Sequence, residues 1–314
     1  MADRDQLYDV AIVGGGPAGL SAAIWLARYL HSVVLVDSGD PRNWETRGVN
    51  GFLGQPGVRP ADLRAMGREE CRTHGVELVD AIVDTVRREG DERFAVRTAD
   101  GGRMLARRLL LAIGLRDLWP DIPGLEHVYG KNAHVCPDCD GYECRDRKTV
   151  VIGSGRPAVG LALNLTTWTN DIIICTNGEP PALDREEYCA KLDALNIPVI
   201  TDRVTKVTTT GDAGIYSLEL EGGKCLDADK LFFKLGQMPA DDLAAQLGCR
   251  RDEEGQVIVD EAMHTSVRNV YAAGDIIPGP QLAIAAAADG AIAALAIHKS
   301  LVPDQRKLEK LKSS

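Results

Sequence analysis

The chain predicts an α/β protein of two domains, the second inserted in the first. Three observations predict this: a glycine-rich turn between an apolar run and a helical pattern near the start, a second copy of that order near the middle, and a C-terminal stretch too short to fold alone. At 314 residues the chain has the length of two ordinary cores. Its 45% apolar and 26% charged residues, with 32 glycines, are a globular rather than a disordered composition.

The first apolar run, Val10-Ala-Ile-Val13, has the pattern of a buried strand. Gly14-Gly-Gly-Pro-Ala-Gly19 follows at once and opens a helical pattern through Leu30. A second run, Ser32 to Val36, ends in Asp37, 18 residues beyond Gly19. Strand, Gly-x-Gly-x-x-Gly turn, helix and acid at this spacing are the dinucleotide fingerprint of a Rossmann-like, doubly wound, three-layer domain. In that fingerprint Gly14 closes the turn, Gly16 lets a pyrophosphate approach the backbone, and Gly19 lets the helix pack on the strand, while free amides at the helix N-terminus hold the anion. The order recurs as Thr149-Val-Val-Ile152, Gly153-Ser-Gly-Arg-Pro-Ala158, a helical stretch and the run Asp171 to Cys175. Each copy carries a matching tail. Val76 to Arg97 alternates like a β-meander, and Gly101-Gly102 precedes the run Leu109 to Gly114. Ile197 to Leu220 alternates likewise, and Gly222-Gly223 precedes Leu231 to Gly236, so the chain reads as an internal duplication.

From about Asp241 a third region carries Thr265 to Asp275 and an alanine-rich helix. Its short strand, Val270 to Ala273, is expected to complete the first sheet. The two nucleotide-binding domains are then residues 1–116 with 240–314, and residues 117–239, with hinges at Leu115 to Pro123 and Gly236 to Ala240. Asp275 follows that strand and one glycine, which puts a carboxylate at the carboxyl end of the sheet; a helix N-cap is the alternative.

A formal charge of −10 argues against nucleic-acid and anionic-membrane partners, and the basic end from Arg306 to Lys312 reads as a solvated tail. The first apolar run lies behind Asp3, Asp5 and Asp9 and runs into glycines, unlike a secretory or transit signal, so a cytoplasmic location is expected. The apolar stretch Leu282 to Ile297 is interrupted by Asp289 and is expected to be a core helix rather than a membrane span. Six of the eight cysteines stand singly; only Cys136 and Cys139 have C-x-x-C spacing. That pair can be redox-active, can join Cys144, His134 or His127 in a zinc site, or can be two buried thiols. The redox reading is preferred, with no metal, because the pair precedes a second nucleotide fold and is followed by an acid. One thiolate then attacks a disulfide and the other thiol resolves the mixed disulfide. Asp140 is either a general acid or an exposed acid in an Asp-Gly turn. His134 reads as a packing or surface residue outside the catalytic set.

The first Gly-x-Gly-x-x-Gly, Leu111-Ala-Ile-Gly114, Cys136-Pro-Asp-Cys139-Asp140-Gly141, the second fingerprint, and Thr265 to Asp275 followed by Gln281 and Gly290 stand in a telling order. In that order nearly the whole chain resembles the low-molecular-weight thioredoxin reductases. The resemblance implies an FAD-dependent disulfide oxidoreductase, a homodimer, that passes electrons from flavin through Cys136 and Cys139 to thioredoxin or a similar small dithiol protein. It implies FAD held by Gly14, Gly16, Pro17, Ala18, Gly19 and Asp37, with Ser38, Asn50, Gly114 and Leu282 around it. Asp275 would serve the ribityl and phosphate region, and the Gln281 backbone would approach the flavin ring. It further implies that Cys139 faces the flavin, that Cys136 exchanges with the partner, and that Asp140 protonates the departing thiolate.

The second fingerprint departs from the family. NADPH-using members carry a His-Arg-Arg run after the second strand of this domain, where this chain has Cys175-Thr-Asn-Gly-Glu-Pro-Pro181 and no acid at the strand end. Pro157 also removes an amide donor from the turn. NADPH is therefore expected to be a poor donor, with ferredoxin or another donor in its place, and Arg156 and Arg185 are the residues able to overturn this. Two other functions fit the same parts: a flavin-dependent dithiol oxidase that passes electrons to oxygen, and a non-catalytic FAD-binding redox sensor. The oxidases commonly carry His after the second cysteine, so Asp140 favours the reductase direction, and a sensor has no need of the acid.

Overall fold

In the centre of the first sheet, the strands Leu7–Val13 and Val33–Asp37 and the end of Arg103–Leu111 are apolar on both faces, as parallel strands covered on both sides must be. Val13 stands opposite Val36 on one side and Leu111 on the other, and Leu111 stands opposite Ala272 of the strand Val270–Ala272. The C-terminal region thus completes the first sheet. Glu77–Asp80 extends the parallel part beyond Val33–Asp37, whereas Arg93–Thr98 pairs antiparallel with the start of Arg103–Leu111 on one side and with Val83–Glu89 on the other. The alternation from Val76 is therefore a meander only from Val83 onward. The helix Pro60–Thr73 supplies the crossover that parallel pairing of Glu77–Asp80 requires.

The computed structural model describes residues 6–308 except 43, 91, 184 and 212–213. It divides into one unit of Met1–Arg42, Ala61–Arg116 and Met238–Ser314 and another of Asn43–Pro60 and Asp117–Gln237. Two of the four crossings, after Arg116 and after Gln237, fall within Leu115 to Pro123 and Gly236 to Ala240; the other two bound the segment 43–60. The segment expected in the first domain but grouped with the second, 43–60, is tied there by backbone contact. The Arg47 amide donates to the Gly130 carbonyl at 3.2 Å, and a Cβ on Gly130 would stand 2.8 Å from the Glu45 backbone. The second unit's main sheet has five parallel strands in the order Val199–Ile200, Ile172–Cys175, Thr149–Ile152, Lys230–Phe233, Ala133–His134. Val150, Ile152, Leu231 and Phe233 face one apolar layer, and Val151 and Phe232 face the other. The expected second meander leaves this sheet: Val204–Thr210, Gly214–Leu220 and Cys225–Leu226 form a separate antiparallel one.

Helix Pro17–Arg28 stops two residues before Leu30, which has a left-handed φ of 65°. It packs on the C-terminal helix Ala283–Leu301 through small residues, so close that a Cβ on Gly290 would overlap the Ala18 carbonyl oxygen. By length and composition alone Ala283–Leu301 is able to cross a membrane. One face, with Ala286, Gly290, Ala293, Ala294 and Ile297, is buried in the first unit's core; the other exposes Ile284, Ile292 and Leu295. His298 near its end stacks on Tyr29 and lies 3.0 Å, nitrogen to nitrogen, from His31. Burial lowers the His31 pKa, against the pull of Asp9 and with a smaller contribution from His298.

Gly290→Ala is expected to destabilise the protein by about 1–3 kcal/mol in urea unfolding, because the methyl meets backbone that cannot turn aside. A histidine with a lowered folded pKa contributes stability that is full above its unfolded value and is lost as pH falls. Thermal stability should therefore decline below about pH 6.5, and His31→Gln should make that decline shallower; an unchanged slope would show that His31 binds its proton equally in the folded and unfolded states.

Candidate active site

Parallel register brings together residues that are far apart in the first unit's sequence. Because Val13, Val36, Leu111 and Ala272 are aligned, the loops after them leave the sheet on its carboxyl edge, where open α/β sheets bind ligands. Gly14 to Gly16, Asp37, Ser38, Gly114 and Asp275 all lie on those loops. Gly14, with φ 106°, has the Ala112 carbonyl where a Cβ would sit, and Gly19 has the Gly14 carbonyl there, so packing demands both glycines. Gly16 is different. Its φ is −79°, which any residue adopts, and no atom of the chain lies within 4 Å of a Cβ placed on it. It is the cap residue of helix Pro17–Arg28 and makes no side-chain cap hydrogen bond. An unfilled space over a helix N-terminus that no side chain caps is what a dinucleotide pyrophosphate requires, so these residues fit that group.

Asp37 and Asp275 at this edge have cationic partners that the motifs do not announce. Asp37, 8% exposed, accepts the Gly15 amide at 3.1 Å and is ion-paired with Arg64 and Arg68; Arg68 also reaches Asp80 at 2.7 Å. In sequence Arg64 and Arg68 are two charges one turn apart on a polar helix, which reads as solvated surface. Asp275 is not an N-cap: its carboxylate accepts from Arg42 at 3.0 Å, and the same guanidinium donates to the Gln281 side chain at 2.8 Å. Gln256, also absent from the sequence-based set, donates to the Asp275 and Ile277 carbonyls, each at 2.9 Å. Gln281 and Leu282 immediately precede helix Ala283–Leu301, with Leu282 as its cap residue.

In the second unit the edge strand Ala133–His134 ends just before the cysteines. Cys136 and Cys139 form a disulfide with Cα atoms 5.4 Å apart. Cys136 caps the single-turn helix Pro137–Asp140, and its sulfur accepts the Cys139 amide at 3.2 Å. Asn50, expected among the cofactor residues, lies in this unit and donates to the Cys139 carbonyl at 3.1 Å. Gly141 is obligatory, since a Cβ there would stand 2.5 Å from the Trp168 ring.

Asp140 is no exposed turn acid. Its side chain is 16% exposed, and Oδ2 lies 3.3 Å from Nδ1 of His134, whose side chain is 4% exposed. His134 is accordingly neither a surface residue nor a mere packing residue. Its ring leans on Phe232, and its Nε2 is buried without a hydrogen-bond partner. Cys144 is buried beside them, donates to the Asp140 carbonyl at 3.4 Å, and has its thiol pushed up to about 12 by burial, so it stays protonated. Cys136 and Cys139 hold each other, and no group of three His, Cys, Asp or Glu placed to hold a metal occurs among the described residues.

The second glycine turn is filled by its own chain. Gly155 has φ 61°, its amide donates to the Pro181 carbonyl at 3.0 Å, and Ala182 packs 3.4 Å from where its Cβ would be. The strand before this loop is followed by Thr176, whose hydroxyl donates to the Glu179 carbonyl at 2.5 Å and closes the loop on itself. Arg156 is exposed, and Arg185 lies over the Tyr188 ring at 5.9 Å.

The pyridine nucleotide-disulphide oxidoreductase family matches residues 8–290, a span that holds both glycine turns and the cysteine helix. Thioredoxin reductase of Helicobacter pylori is 28% identical over 312 residues, covering 93% of this chain and 98% of that protein. Among solved structures, TrxB of Bacillus anthracis, assigned as a thioredoxin reductase, is 29% identical with a TM-score of 0.88 over 95% of this chain and 100% of that one. HlmI is 36% identical with a TM-score of 0.89 over 94% and 92% of the two chains. The chain therefore belongs to the pyridine nucleotide-disulphide oxidoreductases, and within them is an oxidoreductase of the low-molecular-weight thioredoxin reductase kind.

Proposed function

We propose that this protein is an FAD-dependent disulfide reductase that carries electrons from flavin through Cys139 and Cys136 to thioredoxin or a similar small dithiol protein, with ferredoxin or another reduced carrier, rather than NADPH, as donor. The carrying observation is the Cys136–Cys139 disulfide on a one-turn helix that ends in a half-buried acid. Bound FAD supplies a centre that stores two electrons and releases them to a disulfide. It would rest on the Gly14 to Gly19 turn, with Asp37 at the ribose and Asp275 toward the ribityl chain.

The chain's own groups distinguish the two sulfurs once the disulfide opens. The Cys139 amide points at the Cys136 sulfur, and such a hydrogen bond strengthens on a charged acceptor, so Cys136 is the thiolate that attacks the partner. Cys139 resolves the mixed disulfide, and Asp140, next in the chain, returns a proton to the leaving thiolate. A homodimer and a cytoplasmic site of action complete the proposal. Trp25, Ile284, Ile292 and Leu295, exposed on two packed helices, support the former.

Three features support the donor assignment. The Gly155 amide is already engaged by Pro181, Pro157 lacks an amide hydrogen, and neither an acid nor an arginine run follows Cys175. Two missing charge-assisted contacts to a 2′-phosphate, each about 1.5–3 kcal/mol, lower affinity roughly a hundredfold or more.

Gly16→Ala is expected to change stability of the flavin-free protein by less than about 1 kcal/mol, since the methyl meets no atom, and yet to strip flavin on dialysis; full retention would mean that no phosphate lies there. Under argon, NADPH should bleach the flavin at least about a hundredfold less efficiently than reduced ferredoxin or a reduced flavin. Stoichiometric bleaching by micromolar NADPH within milliseconds would restore an NADPH-linked enzyme. Rapid peroxide release with a small dithiol in air would instead mark the oxidase direction.

A further inference from the structure

A buried histidine normally satisfies both ring nitrogens, one donating and one accepting, and thereby ties two elements together. His134 does not. Its Nε2 is buried without a partner, its ring packs on Phe232, and its one polar contact is Nδ1 to the Asp140 carboxylate at 3.3 Å. In that position an apolar ring would fill the same space without leaving a nitrogen unsatisfied, so stability alone gives no reason for an imidazole. Its chemistry is directed wholly at Asp140.

We propose that His134 and Asp140 form a two-residue proton store, in which His134 is the positioning residue that keeps a proton available to Asp140 at neutral pH for delivery to the thiolate formed when the Cys136–Cys139 disulfide opens. An ordinary aspartate in water is protonated only about one time in a thousand at pH 7, too seldom to serve as an acid there. An adjoining imidazole gives the proton a second site, on a ring nitrogen that can accept as well as donate. The proton then lies either on Nδ1, as imidazolium beside carboxylate, or on Oδ2, as carboxylic acid beside neutral imidazole. Both arrangements are neutral overall and differ by movement across one contact. When a thiolate appears beside the pair, transfer from Oδ2 to sulfur yields a thiol and leaves a carboxylate beside a neutral imidazole that keeps its proton on Nε2, and the pair refills by taking one proton from solvent. Burial permits one such proton, because the fully protonated pair would carry a net charge away from water.

Asp140 acts on both Lys230 of the neighbouring strand and Cys144 of the turn that follows; Glu143 faces those two groups, Arg47 faces Lys230, Asp138 shares the one-turn helix, and burial lowers the Lys230 pKa. Lys230 is anchored on the Asn132 side chain at 2.8 Å and Cys144 stays protonated, so the imidazole is the group suited to a neutral step.

This proposal rests on the disulfide reductase reading, and its test avoids both donor and protein partner. Dithiothreitol is added anaerobically to the intact flavoprotein from about pH 6 to pH 9, and disulfide opening is followed by iodoacetamide trapping and mass. One dithiothreitol thiolate attacks Cys136, the sulfur–sulfur bond breaks, and Cys139 leaves as a thiolate that takes the stored proton. The second dithiothreitol thiol then closes the oxidised ring and frees Cys136. Per unit of dithiothreitol thiolate, the wild-type rate is expected to fall through one near-neutral step as pH rises. His134→Phe should be flat over that range, about tenfold or more slower than wild type at the acid end and equal to it at the alkaline end. His134→Gln carries the same expectation, so poor folding of one variant does not remove the test. Lys230→Met should keep the step, and its loss there would overturn the assignment to His134. A uniform slowing at every pH, or identical profiles in wild type and both His134 variants, would also overturn it while leaving the reductase reading intact. A wild-type disulfide that dithiothreitol does not open would overturn both.

Discussion

Parallel pairing that holds Val13, Val36, Leu111 and Ala272 in line is the constraint from which the first unit's candidate site follows. A parallel strand can only be reached by a crossover, so every loop on its carboxyl edge belongs to a different stretch of chain. Residues as distant as Gly14 and Asp275 meet there because the hydrogen-bond ladder fixes where each strand ends. Close packing then locks the arrangement. Gly14 and Gly19 leave no room for a side chain beneath the turn, and Gly290 brings the C-terminal helix against Ala18.

The second unit obeys the same rule with a different outcome. Its glycine turn follows Thr149–Ile152, and its cysteine helix follows the edge strand Ala133–His134, two parallel strands with Lys230–Phe233 between them. In the first unit the space over Gly16 is open. In the second, Pro181 and Ala182 cover Gly155. Two copies of one supersecondary pattern thus differ in what satisfies the backbone amide at the turn, and that amide is the group a phosphate would otherwise take.

Three buried or partly buried carboxylates at these edges are answered by a specific partner: Asp37 by Arg64 and Arg68, Asp275 by Arg42, Asp140 by His134. A desolvated carboxylate needs such a partner to remain in place. Arginine stays charged through the whole working range and so fixes its acid as a carboxylate. Histidine alone among these partners can accept as well as donate at its ring nitrogens, which sets Asp140 apart from Asp37 and Asp275.

The sequence by itself determined the two-copy architecture, the return of the C-terminal strand to the first sheet, the glycine turns and the cysteine pair with its acid. These are local matters: an apolar run, a glycine at fixed offset and a C-x-x-C spacing act within a few residues and are legible in one dimension. Only the tertiary structure decided that segment 43–60 groups with the second unit, that Asn50 meets Cys139, that Arg42, Arg64 and Arg68 answer the acids, and that Pro181 fills the second turn. It also decided the standing of His134, which in sequence is one histidine near a cysteine. Burial, and the contact of one ring nitrogen and not the other, depend on Phe232, about a hundred residues away in the chain but paired with His134 across the sheet. Long-range pairing of this kind leaves no periodicity or spacing to read, because the energy that selects it comes from packing between elements rather than from preference within one.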